Sequence, residues 1–134
     1  MKKLALILAL LALPLFASPN LFSKYESVRQ GLLKGSLAET QKSAAALATE
    51  AKTAKQTAIA EKAEAVAKSA DLKAARDSFA SLSDEMMKLR EAAKGDKPSV
   101  YYCPMVKKSW LQPKGEVGNP YDAAMAKCGM LKSE

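Results

Sequence analysis

Apolar positions recur at three- and four-residue steps through most of the chain. The clearest run is Leu72, Ala75, Phe79, Leu82, Met86, Leu89 and Ala93, which places one continuous stripe along a helix. Asp71 stands where it can cap that helix, and the stretch from Gly95 to Pro98 ends it. Leu21, Tyr25, Val28 and Leu32 mark one face of a first helix, with Asn20 as its expected cap and Gly31 and Gly35 loosening its end. Ser36-Leu37-Ala38-Glu39 has the capping-box spacing that opens a second helix. From residue 36 to 70, 13 of 35 positions are Ala and none is Gly or Pro, so local helix preference is strong. Thr53 to Thr57 is the predicted turn that divides this stretch into helices two and three.

Leu37, Ala44, Ala51, Ala58, Ala65, Leu72, Phe79 and Met86 are all apolar and seven apart, yet Glu61 and Lys68 interrupt the companion seam. The pattern therefore predicts close-packed antiparallel helices rather than one long coiled coil. The intervening Lys and Glu form a solvated outer face, and Met86, Met87 and Leu89 belong to the core. The expected fold class is all-α: an antiparallel three- or four-helix bundle over about 20–94, then an irregular, turn-rich tail over about 99–134 with one short terminal helix.

The first residues change the picture of compartment. Met1-Lys2-Lys3 is a short positive stretch, Leu4 to Leu13 is unbroken Leu, Ala and Ile, and Pro14 precedes small residues at Ala17 and Ser18. This is the layout of a secretory signal peptide, too short to span a bilayer stably, with an uncleaved N-terminal anchor as the alternative. The expected organisation is a signal peptide at 1–17 and a single domain at 18–134, exported to the periplasm, with no stable membrane insertion once the signal is removed. The absence of a Cys after the apolar run argues against a lipoprotein anchor. The formal charge of +7 falls to +5 when Lys2 and Lys3 are removed, an ordinary solvated surface, and an exported chain meets little nucleic acid.

Composition narrows the chemistry further. The chain contains no His, which removes the usual general base, the Ser-His-Asp and Cys-His nucleophilic arrangements and imidazole metal ligation. No paired-carboxylate motif or phosphate-binding loop stands in their place, so the expectation is a protein that is not an enzyme and carries no organic cofactor. What remains lies beyond Pro98: both Cys, the one Trp, three of four Tyr and three of six Met. Val100 to Tyr102 reads as a short extended stretch, and Pro104, Pro113, Gly115, Gly118 and Pro120 as turns. Asn119-Pro120 is the expected entry to a short helix from about Tyr121 to Cys128, stopped by Gly129 in the left-handed conformation. On that helix Met125 and Cys128 would share a face.

Cys103, Met105, Met125, Cys128 and, on chemical grounds, Met130 make a soft ligand set that favours Cu(I) or Ag(I) over hard cations. Two Cys in an exported chain equally make a disulfide, Cys103–Cys128, and Trp110, Tyr101, Tyr102 and Tyr121 a small aromatic core for the tail. A redox enzyme is disfavoured because neither Cys belongs to a Cys-x-x-Cys pair.

Tyr102-Cys103-Pro104-Met105, Trp110-Leu111, Val117 with Asn119-Pro120-Tyr121, and Met125 with Cys128-Gly129, preceded by Arg76, Phe79, Leu82 and Ser83, resemble a small exported bacterial domain of unknown function that is also appended to periplasmic adaptor subunits of copper and silver efflux systems. The resemblance covers nearly all of the chain after residue 17. It implies a helical bundle with a metal-associated tail, suspected ligands Cys103, Met105, Met125 and Cys128, and a heavy-metal efflux assembly or other envelope protein as partner. Asp122-Ala123 after Asn-Pro-Tyr and the lack of a His near Cys-Pro-Met depart from the pattern. Two readings follow. One is an exported protein holding Cu(I) or Ag(I) through Cys and Met sulfurs. The other is a non-enzymatic structural or interaction module of the cell envelope with a Cys103–Cys128 disulfide.

Overall fold

The computed structural model describes residues 19–134; the expected signal peptide, residues 1–17, lies outside them. Four helices come first: α1 (Pro19–Leu33), α2 (Leu37–Thr53), α3 (Thr57–Ala67) and α4 (Leu72–Ala92). Each boundary has a local cause. Gly35 adopts a left-handed conformation (φ 67°) after α1, and the amides of Gly35 and Ser36 return to the carbonyls of Leu32 and Gly31. Ser36 caps α2 by accepting the Glu39 amide at 3.2 Å, and the Glu39 carboxylate turns to Lys34 at 3.1 Å rather than back to the cap. Asp71 caps α4 through the Ala74 amide at 2.7 Å. Asn20 lies within the first turn of α1, not at its cap, because the helix already begins at Pro19.

The turn after α2 has the same hydrogen-bond pattern as the turn after α1, but Lys55 occupies its left-handed position (φ 57°). A Cβ there is strained. Lys55→Gly is expected to raise stability by about 0.5–1 kcal/mol, because relief of that strain outweighs the extra backbone entropy of glycine. A urea midpoint at or below the wild-type value would contradict this.

The helices pack in sequence order, α1 on α2, α2 on α3 and α3 on α4. Their short connections make them antiparallel neighbours. Gly31 lies where α1 and α2 touch: a Cβ on it would stand 2.7 Å from Thr40 Oγ1. The stripe of α4 is buried from Ala75 to Leu89 as its spacing predicts. The seven-residue repeat does not run through α3. Ala58 and Ala65 are exposed, and α3 buries Ile59, Ala60, Ala63 and Val66 instead. The turn at Ala54–Gln56 resets the phase between α2 and α3.

The tail overturns the all-α expectation. It forms a three-stranded antiparallel sheet in the order β2-β1-β3, from β1 (Ser99–Cys103), β2 (Lys108–Gln112) and β3 (Met130–Ser133), so the architecture is mixed α/β: a helical layer with a small sheet docked on α4 through β2. Tyr101 pairs with Trp110 and Val100 with Leu111. On the other side of β1, Tyr102 pairs with Met130 and Tyr101 with Leu131. Trp110 and Leu111 are both fully buried, so β2 is covered on both faces and shows no polar–apolar alternation. All four residues of β3 are exposed, so it is held by backbone pairing that leaves no hydrophobic pattern.

The expected helix at Tyr121–Cys128 is only a 3-10 turn, Ala123–Met125. Asp122 accepts the Ala124 amide, and the Ala126 carbonyl is taken by the Asn119 amide at 2.8 Å, which closes the loop before a longer helix can form. Gly129 is not among the residues with positive φ. Glycine is required there by contact: a Cβ would meet Trp110 Cη2 at 2.7 Å and Val117 Cγ1 at 2.8 Å. Among the described residues no helix is long and apolar enough to cross a membrane.

Candidate functional site in the bridged tail

The sheet is fastened to the helices by a chain of hydroxyls. Tyr25 of α1 and Ser83 of α4 share a 2.7 Å hydrogen bond, and the Leu111 amide of β2 donates to Tyr25 at 3.2 Å. The Tyr121 hydroxyl lies 3.0 Å from Ser83 Oγ and 2.6 Å from the Ser109 carbonyl. A carbonyl can only accept, so the Tyr121 proton goes to Ser109, and the Ser83 proton turns to Tyr121 while Ser83 accepts from Tyr25. Phe79 stacks on Tyr25 at 4.8 Å and lies against Tyr121 at 5.9 Å.

Burial pushes the Tyr25 phenol far above its ordinary value, outweighing the opposing hydrogen bond with Ser83. Burial, then the neighbouring Tyr25, raises Tyr121 likewise. Both phenols stay neutral at physiological pH and are structural. A group raised in the folded state contributes its full stability below the unfolded pKa, near 10, and loses it as pH rises above that value. The urea midpoint is therefore expected to be level up to about pH 9.5 and to fall steeply beyond it. A midpoint unchanged at pH 11 would remove the two buried phenols as its cause.

Buried and half-buried polar side chains shape the loop from Pro113 to Cys128. Arg29 of α1 donates to the Gly118 carbonyl at 2.7 Å, and Arg76 of α4 to the Pro120 carbonyl at 3.2 Å and the Leu32 carbonyl at 3.3 Å. Gln112 Oε1 accepts from Trp110 Nε1 at 2.9 Å and the Gly118 amide at 3.1 Å, while its Nε2 donates to the Glu116 carbonyl at 2.9 Å. Asn119 accepts the Tyr121 amide and donates to the Cys128 carbonyl at 3.2 Å. Arg29 and Gln112 carry no sequence signal as loop-holding residues; only their burial in the fold shows them. Arg76, Phe79 and Ser83, noted in the sequence ahead of the tail, all contact that loop or its Tyr121.

Cys103 and Cys128 are joined in a disulfide, with Cα atoms 5.5 Å apart. It is the buried end of the tail: Cys103 is fully enclosed and Cys128 half-buried. The other three expected ligands are placed differently. Met125 is half-buried at the end of the 3-10 turn, where its carbonyl accepts the Cys128 amide at 2.8 Å. Met105 is 68% exposed in the turn between β1 and β2, and Met130 is 55% exposed in β3. Met130 is the cross-strand partner of Tyr102, and strand alternation puts Cys103 on the opposite face of β1 from that pair. The five sulfurs thus belong to one end of the sheet without forming one cage. The bridge joins two arms of like spacing, Cys103-Pro104-Met105 and Cys128-Gly129-Met130, each ending in an exposed thioether.

Among the described residues no group of three or more Cys, Asp and Glu is placed to hold a metal ion. Any ion at this end would therefore depend on thioethers, or on thiolates released from the bridge. At the opposite end of β1, an open depression of about 530 Å³ is lined by Phe22, Pro98 and Pro113, with Glu26, Asp96, Lys97 and Lys114 around it. Compared with known proteins, the chain matches no family model, no curated protein and no solved structure.

Proposed function

We propose that the protein is a non-catalytic, periplasmic carrier of a soft monovalent ion, Cu(I) or Ag(I), working beside a heavy-metal efflux assembly or another envelope protein. The observation that carries this reading is the pair of Cys-x-Met arms joined at the bridge, with both thioethers turned to solvent. Two exposed Met flank the disulfide, which places thioether donors within reach of solvent on either side of it. Sulfur donors suit Cu(I) and Ag(I), and the donor set offers nothing to Mg or Ca.

Reduction of the bridge by a dithiol breaks the S–S bond. Two electrons and two protons pass to Cys103 and Cys128, and the dithiol becomes a disulfide. The two thiols then lose their protons as they bind the ion, with one or more of Met105, Met125 and Met130 completing the site. The test is an anaerobic titration of reduced protein with Cu(I) against a chromophoric chelator. Wild type is expected to outcompete the Cys103→Ser, Cys128→Ser double variant; equal competition defeats the reading.

The bridge itself favours a second reading, a structural or interaction module of the envelope whose tail stays oxidised. Met105, Met130 and Leu131, the exposed large apolar side chains among the described residues, would then be a docking edge. Thiol counting on denatured protein taken from the periplasm separates the two, since two free thiols would exclude a permanently bridged module.

A further inference from the structure

We infer that Cys128 is the sulfur through which the bridge is made and broken: an incoming thiol bonds to Cys128 and expels Cys103. The partner this fits is an envelope dithiol. The inference deepens the reduction step of the proposed function and rests on the bridge which that step opens. Thiol–disulfide exchange is an in-line displacement. The attacking thiolate approaches one sulfur from the side opposite the other, bonds to it and drives the second sulfur out as a thiolate, so access decides which sulfur is attacked.

Cys103 has no exposed surface. It ends β1, the central strand of the sheet, and belongs to the core with Trp110 and Leu111. It pairs with Lys108 of β2, and its carbonyl accepts the Lys107 amide at 2.8 Å. A thiolate aimed at Cys103 would have to enter that core and lose its hydration there. Of the two bridged residues only Cys128 reaches solvent, and it packs against the core from outside. The chain beside it can also make way. Lys127 is exposed, and all four residues of β3 are exposed two positions further on. β3 is held by its pairing with β1, irregular between Val100 and Tyr101, and by two surface contacts, Lys132 over Tyr102 and Lys114 with Glu134. An added group at Cys128 needs movement of this strand and loop, whereas one at Cys103 would displace the core.

A thiolate of the dithiol bonds to Cys128 Sγ as the S–S bond breaks. Cys103 leaves as a thiolate and takes a proton, since its apolar surroundings disfavour the charge. The second thiolate of the dithiol then attacks the dithiol's own sulfur in the mixed disulfide and releases Cys128, which is protonated in turn. The dithiol ends as a disulfide, and Cys103 and Cys128 hold its two electrons and two protons. A monothiol has no second thiolate, so Cys103, kept beside Cys128 by the fold, attacks Cys128 again and restores the bridge. Oxidation retraces the same path, and Cys128 is then the sulfur that receives the mixed disulfide before the bridge closes.

The probe is reduced glutathione, in excess over bridged protein, residues 18–134, under folding conditions. Early samples are quenched in acid, which removes the thiolate and freezes exchange, then mapped by peptic digestion and mass spectrometry. Glutathione on Cys128 with Cys103 free is expected to exceed the reverse adduct about tenfold or more. In urea that unfolds the chain both sulfurs are open, and the preference should fall to about twofold or less. Glutathione on Cys103, equal adducts on the folded protein, no adduct until urea is added, or a preference that persists in urea would each overturn the inference. If the adduct forms on Cys103 while reduced protein still outcompetes its double variant for Cu(I), this inference fails and the proposed function stands. If the adduct forms on Cys128 and the Cu(I) competition is lost, the exchange site stands and the carrier reading fails.

Discussion

Trp110→Ala is expected to cost about 3–5 kcal/mol, the range for removing a large aromatic from a packed site. Trp110 is fully buried, stacks on Tyr101 at 6.1 Å, meets Tyr121 edge-on at 6.1 Å and donates its indole N–H to Gln112. Its loss opens a hole at the centre of the tail and leaves Gln112 with one donor fewer. A urea midpoint that moves by less than a third of the wild-type value would mean the tail is not packed as described. A double-mutant cycle makes the test stricter. Gly129→Ala alone should destabilise by about 1–3 kcal/mol, because its methyl has to displace the indole edge and Val117. In the Trp110→Ala background the indole is gone and Val117 has room to shift, so a substantial part of that cost should vanish. Additive costs would deny the contact.

Opening the Cys103–Cys128 bridge is expected to cost roughly 3–4 kcal/mol, from the freedom returned to a loop of 26 residues counting both ends in the unfolded chain. Thermal unfolding with and without a dithiol should differ by roughly 10–20 °C for a domain of this size. Amides of Met130–Ser133 should lose protection first, since β3 is fully exposed and is tied to the rest through Cys128 and its pairing with β1. A shift of only two or three degrees would show that the Arg29, Gln112 and Asn119 hydrogen bonds hold the loop without the bridge.

The helical half was legible because its signals are local. Spacing along α4, the caps Ser36 and Asp71, the turn near Thr53 and the glycine ending α1 all read correctly, since each depends on residues within a few positions. The tail was legible only where side chains alternate: Ser99, Tyr101 and Cys103 are buried, with Val100 and Tyr102 half-buried between them. β2 failed because Trp110 and Leu111 are buried on opposite faces, and β3 because none of its side chains is buried. The Asn-Pro entry and the three-residue spacing of Met125 and Cys128 suggest a terminal helix, of which only the 3-10 turn Ala123–Met125 forms. Those residues belong instead to a loop fixed from outside by Arg29, Arg76 and Gln112. The pairing of Cys103 with Cys128 was one of two open alternatives, and the fold resolves it as a bond. Which sulfurs face solvent depended on a strand that the sequence pattern does not reveal.

The hydroxyl chain through Tyr25, Ser83 and Tyr121 also constrains how the protein assembles. Its members are separated by 58 and 38 residues, and Tyr25 reaches Leu111 across 86. A bundle whose helices pack mainly on their neighbours in sequence has low contact order and folds fast; the long-range bonds to the sheet raise it. The helices, whose main contacts are with their neighbours in sequence, can form early. The knot that seats the sheet must wait until Leu111 and Tyr121 meet Tyr25 and Ser83, so the sulfur-bearing end is the last part of the molecule to acquire its shape.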